Sequence, residues 1–202
     1  MSKNILDLTI NYDSVLVRMG ANKYKTKIDD KIKISIIESI DFAKKLFQPK
    51  YAVSFSDKKI KENKMFLDDF LIDSKDIFKL LNNSDIVCGI VATVGNSIDD
   101  KINLLLEEKK LALSYIYDAI GSIAIEELVD NICDDIKLTE AKKNIICTRR
   151  FSPGYGDWAI ENQKTFLKWL GAGKIGISLS ESCQMFPRKS VSAIFGLERE
   201  IL

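Results

Sequence analysis

No histidine occurs among the 202 residues of this chain. Its absence excludes Cys–His and Ser–His nucleophilic catalysis within the chain, because a thiol or hydroxyl needs a neighbouring base to take its proton. Histidine-bearing zinc sites are excluded too. Cysteine does not fill the gap: Cys88, Cys133, Cys147 and Cys183 are scattered, with no Cys-x-x-Cys pair and no zinc-type spacing. Cys88 and Cys147 lie in apolar runs and read as small buried hydrophobes, Cys133 reads as a helix-face residue, and Cys183 has no base to activate it. Free thiols and the lack of a clear secretory signal point to a reducing cytoplasm. An excess of one charge is also missing, since 30 Lys and Arg stand against 29 Asp and Glu for a net charge of +1. No global field is available to hold a nucleic-acid backbone, and no apolar segment approaches the ~20 residues that span a bilayer. Neither nucleic acid nor membrane is expected as a partner. The basic run at 58–64 reads as a solvated turn between Phe55 and Met65.

Hydrophobic residues make up 46% of the chain, enough for one domain with a proper core. Apolar residues at Ile32, Ile36, Ile40, Ala43 and Phe47 predict a helix over 29–47, capped by Asp29 or Asp30 and closed before Pro49. Alternation predicts a strand over 51–56, and Ser74 opens a short helix through Leu80. The apolar run 86–94 predicts a buried strand. Helices follow over 97–108, capped by Ser97, and over 112–135. Residues 145–148 read as a strand, 160–170 as a helix, and 176–198 as strands making a hairpin-like return around Pro187. The class is α+β, without internal repeats or low-complexity linkers.

Arginine is scarce as well, occurring only at Arg18, Arg149, Arg150, Arg188 and Arg199, so lysine is the default cation. A guanidinium offers paired planar donors that fit a carboxylate or phosphate, which a lysine does not. Arg149 and Arg150 open the segment Arg149-Arg150-Phe151-Ser152-Pro153-Gly154-Tyr155-Gly156-Asp157-Trp158. Pro153-Gly154 reads as a turn that bares backbone groups, and Tyr155 and Trp158 add flat apolar faces. Such a loop suits a ligand with an anionic end and an aromatic or cationic body; taken alone, however, Pro-Gly more often marks a plain surface turn whose aromatics fold back on the core.

The order of motifs narrows the choice. A strand, the loop from Arg150 to Tyr155, a helix, then Leu179-Ser180-Glu181-Ser182 and the run from Pro187 to Ser192 follow one another. In that order and spacing they resemble the activation domain of cobalamin-dependent methionine synthase, over about residues 110–197. Before that, only Ala92-Thr93-Val94-Gly95 and Asp118-Ala119-Ile120-Gly121-Ser122 carry the likeness, as in short, free-standing relatives. The resemblance implies a twisted, mainly antiparallel sheet with packed helices, built as a single domain over residues 1–202 with a divergent part at 1–85 and a motif-bearing core at 86–202.

It also implies a function. The family's domain binds S-adenosylmethionine and presents its methyl group to cobalamin oxidised to the inert cob(II)alamin state, with an electron from a flavodoxin-like donor. Without homocysteine, folate and cobalamin modules, the chain is expected to be the reactivation subunit of a split methionine synthase, acting on cobalamin carried by a partner protein. By position, Arg150 is expected to pair with the methionyl carboxylate, Ser152 to lie where main-chain groups meet the adenine, Gly154 to support the turn and Tyr155 to border the adenosyl part. Tyr155 is open to a second reading as a core-facing anchor of the loop. Ser122, Glu126, Glu181, Ser182 and Ser190 stand behind or beside these contacts, with Glu181 and Ser182 expected to hold the hairpin by hydrogen bonds.

Three departures bear on affinity. Gly156 replaces the proline that commonly follows the motif tyrosine, which suggests a more mobile loop. Ser122 stands where full-length enzymes place an acidic ligand, with Glu126 and Glu127 one turn later. The chain ends at Leu202, before the position of another ligand-lining tyrosine. Weaker binding of S-adenosylmethionine is expected. No general acid, base, nucleophile or metal site is assigned, because a sulfonium is already an activated leaving group and the protein contributes alignment. The alternative is a corrinoid-protein docking or sensor module that does not use S-adenosylmethionine. An independent methyltransferase would need a Gly-rich strand-to-helix loop with a following acidic residue, which the sequence lacks.

Overall fold

The computed structural model of the chain describes residues 4–21, 28–61 and 64–199. Its first helix, α1 (Tyr12–Arg18), starts behind Asn11, whose side chain accepts from the Asp13 amide. In α2 (Asp30–Ala43) Asp29 is the cap, accepting from the Lys31 amide at 2.7 Å. This helix stops short of residue 47, because the Lys45 and Leu46 amides bond back to Phe42 and Ala43 and the Gln48 amide already joins the sheet at the Val94 carbonyl.

Strand β1 (Lys50–Lys61) is twice the expected span and pairs with β2 (Lys64–Leu67), which pairs in turn with β3 (Phe70–Ile72). The basic run is thus mostly ladder rather than turn, with Lys59, Lys61 and Lys64 still exposed. Lys58 has a partner inside the fold: its Nζ donates to the carbonyls of Leu81 and Asn82 at 2.7 and 2.8 Å. Those carbonyls close α3 (Lys75–Leu80), whose Ser74 cap accepts from the Ile77 amide at 3.0 Å. Burial lowers the Lys58 pKa from its usual value, opposed by Asp85 and Glu198.

After β4 (Ile86–Thr93) come α4 (Ser97–Glu107) and α5 (Leu111–Ala141). Ser97 is the first residue of α4 rather than its cap; Asn96 holds that position. Helix α5 runs past residue 135 because Ile132, Cys133 and then Ile136 continue its apolar stripe into the core. A short strand, β5 (Ile145–Cys147), precedes the motif loop, and α6 (Gln163–Trp169) follows a single 3₁₀ turn. The C-terminal return is two structures: β6 (Ser178–Leu179) and β7 (Met185–Phe186) make a small ribbon, while β8 (Ser190–Arg199) enters the main sheet.

The main sheet has six strands in the order β3-β2-β1-β4-β8-β5, all antiparallel. Both faces are covered, so strand parity sorts the residues into two cores. Cys88, Ile90 and Ala92 of β4, with Ala193, Phe195 and Leu197 of β8, face α1, α2, α4 and α5. Val87, Val91 and Ile194 face the opposite way onto Met65, Leu67, Ile77, Trp158, Phe166 and Leu170. Gly89 lies on that second face under the Trp169 ring, where any Cβ would overlap the indole. Trp158 is fully buried there, its ring 5.2 Å from Phe166, so of the two readings of the loop aromatics it follows the one that folds back on the core.

Candidate functional site

The motif loop lies along the free edge of β8. Because, among the described residues, β5 pairs with Leu197, Glu198 and Arg199, the edge of β8 from Ser190 to Gly196 is left to the loop. Thr148 exchanges bonds with Gly196 at 2.9 Å in both directions, and Phe151 does the same with Ile194 at 2.9 and 2.8 Å. Ser152 Oγ donates to the Ser192 carbonyl at 2.7 Å. Ser152-Pro153-Gly154-Tyr155 then closes a turn, with the Tyr155 amide 3.3 Å from the Ser152 carbonyl and Gly154 at φ 90°, the positive φ that the third residue of a type II turn requires.

The far end of the loop is tied to α3. Asp157 accepts from Ser74 Oγ at 2.5 Å and from the Lys75 and Asp76 amides at 2.8 and 3.2 Å, while its own amide donates to Asp76. The Ser74 hydroxyl first, then those amides, hold the Asp157 carboxyl below the usual carboxylate range. Gly156 sits at φ 53° against Asp76 and Phe151, so a glycine is required there by backbone conformation and space. The residue that suggested mobility belongs to a pinned turn.

Between this loop, α5, the β6–β7 ribbon and the start of β8 is an open pocket of about 540 Å³. Arg150, Ser152 and Tyr155 line it, together with Glu126 and Ser190. Arg150 crosses to α5, where a guanidinium nitrogen lies 2.9 Å from Asp130 and 3.9 Å from Glu126, with another 4.0 Å from Cys133 Sγ. Tyr155 is 68% exposed, which rejects the core-facing anchor reading. Ser190 is buried and donates to the Pro187 carbonyl at 2.6 Å.

Other predicted residues lie elsewhere. Gly154 is not on the pocket wall, and its amide is engaged by the Trp158 carbonyl at 2.7 Å. Ser122 lies on α5 beneath Lys189, whose Nζ is 2.9 Å from its hydroxyl and 2.7 Å from Asp118. Glu181 and Ser182 are exposed in the β6–β7 turn, where the Ser180 and Ser182 hydroxyls are 2.9 Å apart and the Gln184 amide donates to Ser180. Arg188, one of the scarce arginines, ties the approach to β8 onto α4: its amide donates to Asp99 at 2.6 Å and its guanidinium to Asn103.

The pocket also uses Ser192, which the sequence reading ranked with Ser190 below the other candidates, and residues it left unassigned, among them Gln163, Met185 and Cys183. A signal existed for Gln163: it precedes Phe166, Leu167 and Leu170 by three, four and seven residues, the core-facing spacing of a helix. For Ser192 the signal was its parity with Ile194. Among the described residues no group of His, Cys, Asp and Glu could hold a metal ion, and no helix is long and apolar enough to cross a membrane.

No family model and no curated protein matches this sequence. Solved structures do match, among them the crystal structure of the MetH reactivation domain bound to AdoHcy, with a TM-score of 0.66 and 13% sequence identity over 95% of this chain and 76% of that one. The likeness is one of fold: a mixed helix and sheet architecture with a mainly antiparallel sheet.

Proposed function

We propose that this chain binds S-adenosylmethionine in the pocket beside Arg150 and serves as the reactivation component of a cobalamin-dependent methionine synthase. The observation that carries this reading is the shared fold with a reactivation domain that binds AdoHcy, along nearly the whole chain. The pocket chemistry agrees with such a ligand. Arg150 supplies a planar cation for a carboxylate, Glu126 an anion for an ammonium or sulfonium, and Tyr155 an exposed aromatic face. A volume of about 540 Å³ is in the range of small-molecule sites.

The ligand would bring its own activated methyl group, and the corrinoid acceptor would belong to a partner protein supplied with an electron by a flavodoxin-like donor. The residues of this chain would then act by placement. Arg150 fixes the amino-acid end, the pinned Ser152–Asp157 loop holds one wall against β8, and Tyr155 covers the opening. Ordering a donor carbon for in-line attack is where proximity contributes most.

A second reading, a corrinoid-protein docking module that does not use S-adenosylmethionine, has one observation in its favour. The Lys189 ammonium lies against Ser122, where the resemblance places an acidic ligand, and a ligand cation would meet like charge there. Calorimetric titration with S-adenosylmethionine separates the two. Saturable binding that weakens at least about tenfold in Arg150→Ala, the scale of a charge-assisted hydrogen bond, supports the reactivation role. No binding, even with a cobalamin-loaded corrinoid protein present, leaves the docking module.

A further inference from the structure

The pocket wall contains a buried hydroxyl with nothing to bond to. Ser192 is 3% exposed, and its Oγ has no hydrogen-bond partner among the described residues. A buried polar group left unpaired is costly, and such groups are rare in folded proteins. An apolar residue at this position would avoid that cost.

The backbone adds to the polar character of this spot. In an antiparallel ladder the residues of one parity turn both main-chain groups to the same side. Ile194 gives its N–H and C=O to Phe151 at the free edge of β8, so Ser192, two residues earlier, directs its own to that edge. Its carbonyl accepts from Ser152, and by parity its N–H lies on the same edge. Gln163 supplies a second neutral group. It is 4% exposed at the start of α6 and lines the same pocket.

We infer that Ser192 and Gln163 form a neutral hydrogen-bonding end of the pocket that reads the edge of a purine ring, and so set ligand specificity at the nucleoside end. A carboxamide matches the adjacent donor and acceptor of adenine in two bonds, and a hydroxyl serves as either donor or acceptor. Neither group carries charge, so this end suits a neutral heterocycle, whereas Arg150 and Glu126 at α5 suit a zwitterion. The inference rests on the proposed S-adenosylmethionine site and adds to it the residues that distinguish the base.

Ser192→Ala is a clean test because it removes a hydroxyl that makes no hydrogen bond among the described residues. Its unliganded melting temperature should equal or exceed that of the parent chain. Binding of 5′-methylthioadenosine, a nucleoside without the amino-acid end, should weaken roughly tenfold in Ser192→Ala and in Gln163→Met, the worth of one good hydrogen bond. Undiminished nucleoside binding in both Ser192→Ala and Gln163→Met overturns the inference while the S-adenosylmethionine reading stands. Nucleoside binding that needs Ser192, without any binding of S-adenosylmethionine, keeps the inference and overturns the reading. A parent chain that binds neither compound overturns both.

Discussion

Arg150 has a partner before any ligand arrives. Its contact with Asp130 at 2.9 Å joins a guanidinium that is one-third exposed to a carboxylate that is more than half exposed, so solvent screens the pair and it is worth only about 0.2–1 kcal/mol. A ligand carboxylate must compete with Asp130 for the same planar donors. Asp130→Asn should therefore raise the affinity for S-adenosylmethionine, by no more than about fivefold given that range, with little change in thermal stability. Titration of the variant checks this, and a tenfold loss instead would show that Asp130 holds Arg150 in its binding position. At this scale the sequence was informative about chemistry and poor about orientation. The arginine fork, the tyrosine and the Pro-Gly turn are local properties of the chain. That Trp158 turns into the core, that Ser122 sits under Lys189 and that Ser192 faces the pocket depend on which strand the loop runs beside, which no short motif records.

Elements were legible where a local rule decided them. Asp29 and Ser74 cap their helices as the sequence suggested, and the apolar run at 86–94 is a strand buried on both faces. Prediction failed where pairing decided. The lysines at 58, 59 and 61 read as a turn until the hairpin with β2 places them in a ladder, where Lys59 and Lys61 stay exposed, and 176–198 read as one return because β8 has its partner in β4, about a hundred residues earlier. The cap on α3 shows the same long-range dependence, for it joins Ser74 to Asp157 across 83 positions. Asp157 has a pKa depressed below its ordinary 3.8. A depressed folded-state pKa means that the stabilisation is fully present above the unfolded value and is lost as pH falls through the folded one. The parent chain should thus lose stability below about pH 4 more steeply than Asp157→Asn, and the two should be indistinguishable in pH dependence above that window. Denaturant melts at a series of pH values read this difference directly, and parallel curves down to pH 2 would remove Asp157 from the account.

The whole molecule is a sheet with a core on each face, and β4 and β8 supply side chains to both. This arrangement follows from composition and parity: nearly half of the residues are hydrophobic, and these two strands carry apolar residues at successive positions. The α+β class was therefore readable, whereas the strand order required pairings between segments far apart in sequence. The four cysteines sample the architecture. Cys88 and Cys133 are buried in the helix-covered core, and desolvation pushes both thiols above their ordinary range. Cys147, half-buried on β5, is pushed the same way, whereas Cys183 lines the pocket from the turn of the β6–β7 ribbon. Thiolate is the reactive form, so burial, which limits access and raises the pKa of Cys88, Cys133 and Cys147, slows their labelling. In the native protein at pH 8, a disulfide reagent should modify Cys183 first, Cys147 more slowly, and Cys88 and Cys133 only on unfolding. S-Adenosylmethionine should slow labelling of Cys183 and leave Cys147 unaffected, as mass spectrometry of the labelled peptides would show. If Cys133 instead reacts as fast as Cys183, then the contact between α5 and the Arg150 loop opens in solution, and the guanidinium that anchors the proposed site is not held where the structure places it.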